Sequence, residues 1–100
     1  MIYVDSLVCW PQAPAPGAER YFGNGKPSCH LWCDPGEDDV LHELAQSIGL
    51  RRSWFQIENQ TGLNHYDLTP GKRLLALKAG ATEMEYDDWD SRRRREAGDD

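Results

Sequence analysis

The chain has no run of about 18 apolar residues, so nothing in it reads as a membrane-spanning helix. It has no paired C-x2-C knuckles, and its cysteines number three, Cys9, Cys29 and Cys33. An odd count argues against a disulfide framework, and the spacing argues against a structural zinc knuckle. Cys29-His30 followed by Cys33 is the nearest approach to a metal motif, and reduced thiols are the expectation. The start, Met1-Ile2-Tyr3-Val4-Asp5, lacks the basic and apolar regions of a secretory signal, so an intracellular, cytoplasmic protein is expected. Internal repeats are absent. Positive charge is also short: 11 Lys and Arg stand against 17 Asp and Glu, a net −6. Loose, non-specific nucleic-acid binding is therefore not expected. The block Arg92 to Arg95 runs against that balance and reads as part of a solvated charged tail.

What is present suits one small domain. Of 100 residues 39% are hydrophobic, with four Trp, four Tyr and two Phe, too aromatic for a disordered chain. Ile2-Tyr3-Val4 reads as a buried first strand ending near Asp5. Proline and glycine then forbid a long regular element over residues 11–27, an expected irregular flap. With the residues up to the first helix it makes a long loop, 11–37. Asp38-Asp39 open a helix with Leu41, Leu44, Ala45 and Ile48 on one face, ended by Gly49 and Leu50. Residues 53–58 read as a second strand. Thr69 caps a second helix with Pro70 in its first position, apolar surface from Leu74, Leu75 and Leu77, and a stop at Gly80. Residues 82–86 alternate as a third strand. Asp87 or Asp88 opens a short charged terminal helix. The fold expectation is α/β, in β-α-β-α-β order, with a three-stranded, mainly parallel sheet. The domain spans 1–88, and 89–100 form a charged tail or short helix.

In a parallel sheet the strand C-terminal ends share one edge, where ligands usually bind. Asp5 ends the first strand, the His65-Tyr66-Asp67 segment precedes the second helix, and His30 and Asp34 lie in the long loop. All are expected at that edge. His65, Asp67 and Asp5 are candidate catalytic residues, as base, ligand or orienting group. His30, Asp34 and His65 are candidate ligands of a divalent metal, since imidazole and carboxylate suit Zn, Mn or Fe. The helix start at Thr69, with Lys72 and Arg73, suits an anion, and Arg73 has the fork to clamp a phosphate. Tyr66 or Trp10 is placed to stack on a base. Structural readings stand beside these: Thr69-Pro70 as an ordinary helix start, Tyr66 packing, His42 solvated, and Arg73 ion-paired with Asp5 or Asp67.

The functional expectation is binding of a phosphate-bearing small molecule, a nucleotide in the first instance, with metal-assisted phosphoester hydrolysis as the reaction. The alternative is a non-catalytic interaction or sequestration protein acting on a host protein or a nucleotide signal, with Trp32, Trp54 and Trp89 as interface anchors. Edge strands leave a homodimer open. "MIYVD", Trp10-Pro11, "SCHLWCD", "ELAQSIGLRRSWFQ" and "HYDLTPGKRLLALKAGA" together resemble the DUF4031 family, small uncharacterised domains of bacteria and their phages. The resemblance covers roughly residues 1 to 86. It implies a shared fold and a bacterial or phage-encoded chain, and it carries no reaction.

Overall fold

The computed structural model describes residues 1–9, 25–57 and 63–96. Trp10 and most of the expected flap lie outside the described residues. The strands are β1 (Ile2–Val4), β2 (Val8–Cys9), β3 (Pro27–Cys33), β4 (Tyr66–Leu68) and β5 (Thr82–Glu83), and the helices are α1 (Asp38–Ser47), α2 (Pro70–Lys78) and α3 (Tyr86–Glu96). The α/β class stands, but the sheet has five strands and is mostly antiparallel. β1 and β2 pair antiparallel with β3 in succession, β4 pairs antiparallel with β3, and β5 lies parallel to β1.

Two segments account for the difference. "PSCHLWC", expected within the loop 11–37, is β3, the central strand. Its alternation is strict: Cys29, Leu31 and Cys33 enter the main core while His30 points to the other face. Residues 53–58, expected as a strand, instead hold a 3-10 turn over Arg52–Trp54, followed by a single bridge from Gln56 to His65. The aromatic rings of this segment are stacked under arginines, Arg51 over Trp54 and Arg52 over Phe55. The third strand is also shorter than 82–86, because Tyr86 already begins α3.

One face of the sheet is covered by α1 and α2. Ile2, Val4, Leu31, Leu41, Ala45, Tyr66, Leu68 and Ala76 form its core, with Cys29 and Cys33 among them. Each fully buried Leu or Val there contributes roughly 1.5–3 kcal/mol relative to exposure. α1 ends as its sequence indicates: Leu50 N–H donates to the Ala45 carbonyl at 2.9 Å and Gly49 N–H to that of Gln46 at 3.1 Å, with Gly49 at φ 92°. α2 begins at Thr69, whose Oγ1 accepts from Lys72 N–H at 3.3 Å, with Pro70 in the first turn. Leu74 and Leu75 face outward, and Ala76 is the residue α2 buries. Leu77 packs against the core beside it, partly buried.

The opposite face carries a smaller aromatic cluster of Tyr3, Trp32 and Trp89, with Leu63, Met84 and Tyr86 packed against it. Trp89 anchors the start of α3 there, and Tyr86 packs beside it, while residues 91–96 of the helix are exposed. Trp32 and Trp89, two of the three candidate interface anchors, are thereby buried; Trp54 is exposed. Among the described residues no helix is long and apolar enough to cross a membrane.

Candidate metal centre

The sheet register assembles a cluster on the α3-side face. Asp5 follows β1, and β3 and β4 pair His30 with Asp67, so one row runs Asp5, His30, Asp67. The adjacent row on that face pairs Tyr3 with Trp32, and one further step of the β3–β4 register brings His65 beside Trp32. Two rows, each spanning three strands, thus set two imidazoles and two carboxylates together. The convergence expected from parallel loops is real for Asp5, His30, His65 and Asp67, but antiparallel register produces it. The HYD segment is a strand, so His65 and Asp67 share one face and Tyr66 takes the other.

A bulge brings Asp5 into place. Between the pairs Val4–Leu31 and Val8–Ser28, residues 5–7 stand opposite 29–30, one residue too many. The Asp5 side chain fills the break in the ladder: Oδ1 accepts the backbone N–H of His30 at 2.6 Å and Oδ2 accepts Nδ1–H at 2.8 Å. A carboxylate can only accept, which places the proton of His30 on Nδ1 and turns Nε2 outward. His65 is fixed the same way, its Nδ1 lying 3.1 Å from the carbonyl of Leu63. Both Nε2 atoms face one oxygen: Asp67 Oδ1 lies 3.9 Å from Nε2 of His30 and 3.6 Å from Nε2 of His65. The two rings meet edge to face at 4.9 Å. Gln56 Nε2 donates to the other Asp67 oxygen, Oδ2.

The three ligand atoms of His30, His65 and Asp67 lie within 4.8 Å of one another, a spacing that suits one small cation. Each imidazole donates its second nitrogen to a carboxylate or carbonyl, as metal-bound histidines do. The Asp5 and Asp67 side chains are each only 12% exposed, and such charges need a positive partner. A proton can supply it, for the hydrogen bond that His30 donates to Asp5 raises the pKa of the imidazole above its usual value, against the opposing effect of burial. A divalent cation can supply it too.

Other expected members are placed elsewhere. Asp34 sits at the far end of the row Ser28, His30, Trp32, where it accepts from Tyr3 Oη at 2.9 Å and Trp89 Nε1 at 2.9 Å. That leaves it four residues along the chain from His30, with its carboxylate engaged by Tyr3 and Trp89 instead of the imidazoles. Arg73, expected to clamp phosphate, donates Nε–H to the Asp5 carbonyl at 2.9 Å and pairs with Glu83 at 2.6 Å. Lys72 Nζ donates to the Ile48 carbonyl at 2.6 Å, closing the end of α1. Tyr66 is 1% exposed, its hydroxyl 2.8 Å from His42 Nδ1, so it cannot stack on a ligand, and His42 is half-buried against Tyr66 and Phe55 instead of fully solvated. Thr69 serves as a helix cap. Cys29 and Cys33 project to the helix-covered face, opposite His30, so alternation breaks up the Cys-His-Cys motif; burial pushes both thiols up to about 12. Gln56 was not visible in sequence, since only the pairing of Gln56 with His65 reveals its reach.

Residues 17–96 match the family described as protein of unknown function DUF4031. The chain belongs to the DUF4031 family. The matched span holds His30, Gln56, His65 and Asp67, whereas Asp5 precedes it. No curated protein and no solved structure matches this DUF4031 chain.

Proposed function

We propose that this DUF4031 protein binds one divalent cation through His30, His65 and Asp67 and uses it to hydrolyse a phosphoester, with a nucleotide as the first substrate to test. The observation that carries the reading is the pair of imidazoles whose Nδ1–H groups are engaged while both Nε2 atoms face Asp67 Oδ1. Two nitrogens and one oxygen are a donor set for Zn, Mn or Fe. His30, His65 and Asp67 would hold the cation and leave one position open, and a cation bound there would supply Lewis-acid activation of water for cleavage of the phosphoester.

The acidic surroundings favour this role for a cation. At net −6, and with Asp5 and Asp67 in the site, an anionic phosphate is repelled unless the cation bridges it. With Arg73 engaged elsewhere, the cation also takes over the charge neutralisation expected of the guanidinium. Asp5 orients His30 and is a positioning residue.

The test is turnover of bis(p-nitrophenyl) phosphate and of a nucleotide panel by purified protein with Zn²⁺ or Mn²⁺. The proposal expects cation-dependent release of product. His65→Ala and Asp67→Asn should return the rate to that of the cation in buffer, and Asp5→Asn should lower it about 10–100-fold. Absence of turnover in the wild type with every cation would leave a binding site without this chemistry.

A further inference from the structure

Gln56 contributes to the centre twice. Its backbone forms a two-bond bridge with His65, N–H to carbonyl at 2.8 Å and the reverse at 3.0 Å. Its side-chain amide donates to Asp67 Oδ2. One residue therefore sets the position of one ligand and the orientation of another. The amide is neutral, so it holds Asp67 without cancelling its charge, as a lysine or arginine there would do. It also occupies the oxygen that a two-oxygen grip on a cation would need. Oδ1 is left facing the two Nε2 atoms at 3.6 and 3.9 Å. Ligands of a four-coordinate cation with bonds of about 2.0 Å stand roughly 3.3 Å apart, so small movements close this set on an ion.

Resting on the cation site proposed above, we infer that Gln56 is its specificity-determining residue. By confining Asp67 to one ligand oxygen, it suits the centre to a four-coordinate, nitrogen-preferring cation such as Zn²⁺ and unsuits it to Ca²⁺ or Mg²⁺. Ca²⁺ seeks six to eight oxygens, often with a carboxylate giving both, and Mg²⁺ demands an octahedron of oxygens. With two imidazoles, a single carboxylate oxygen and one open position, the centre satisfies neither.

The experiment compares wild type with Gln56→Met, which keeps the length of the side chain and removes the donor, and with Gln56→Ala. Zn²⁺, Mg²⁺ and Ca²⁺ affinities are measured by calorimetry, and Co²⁺ reports coordination through its visible absorption. Wild type should bind one Zn²⁺, ignore millimolar Mg²⁺ and Ca²⁺, and give the intense Co²⁺ bands of four-coordination. Both variants should bind Zn²⁺ about 10–100-fold more weakly. Their Co²⁺ bands should weaken as Asp67 turns to offer both oxygens, and the gap between Zn²⁺ and Ca²⁺ should narrow. Variants with wild-type Zn²⁺ affinity and an unchanged Co²⁺ spectrum would overturn the role of Gln56 while leaving the centre intact. A wild type that binds no Zn²⁺ or Co²⁺ would remove the centre itself. Thermal unfolding without cation is the control: variants that no longer fold would make Gln56 structural and refute the assignment.

Discussion

Single residues in this protein divide between two carboxylates with opposite duties. Asp67 stands 3.6 and 3.9 Å from the Nε2 atoms of two imidazoles, whereas Asp34 is held by short hydrogen bonds. Burial works to raise the Asp34 carboxyl, but hydrogen bonds from Trp89, the Met1 amino group and Tyr3 outweigh it and hold it below the usual range. The unfolded chain therefore takes up the proton more readily than the folded one. The stability Asp34 contributes is complete above its unfolded pKa of about 4 and is lost as pH falls through the lower folded value. Urea midpoints taken from pH 6 to pH 3 should fall more steeply for wild type than for Asp34→Asn. Equal slopes would show that the network around Trp89 does not depend on the charge. Sequence reading found Asp34 chemically suitable and misplaced it, because its carboxylate is engaged by Tyr3 and Trp89 instead of the imidazoles. It brought Asp5, His30, His65 and Asp67 together, but at a loop edge instead of on the sheet face where strand register puts them.

Among the elements, the helices and the buried first strand were legible, and the rest of the sheet was not. Asp38-Asp39, Gly49, Thr69-Pro70 and Gly80 are local signals, and each marks a helix end where the structure has one. β3 carries no such punctuation: Pro27 at its start and the alternate polar positions Ser28 and His30 disguise a central strand, and only pairing with three neighbours defines it. The bulge at residues 5–7 is invisible for the same reason, although it puts the Asp5 carboxylate on His30. The junction of α1 with α2 gives an element-scale prediction. Gly49 has φ 92°, and a Cβ there would stand 2.7 Å from Lys72 Nζ, the group that closes the α1 end on Ile48. Gly49→Ala should destabilise the fold by roughly 1–2 kcal/mol from the left-handed backbone conformation, with loss of the lysine contact in addition. Chemical denaturation measures it, and an unchanged midpoint would show that the turn relaxes freely.

At the scale of the whole molecule, one sheet separates two environments. The α1–α2 face is a hydrocarbon core that holds Cys29, Cys33 and Tyr66; the α3 face has an aromatic cluster at one end and the His–Asp centre beside it. The division decides which donors can act together. His30 is adjacent in sequence to Cys29, yet the residues its ring meets are His65 and Asp67, more than thirty residues away. Membership of DUF4031 supplies no reaction, so the account rests on that geometry. X-ray absorption at the zinc edge of protein loaded with one equivalent of Zn²⁺ tests it most directly. The account predicts nitrogen and oxygen neighbours at about 2.0 Å, with the multiple-scattering pattern of two imidazoles. A sulfur neighbour at about 2.3 Å, or failure to retain one equivalent of zinc, would contradict it.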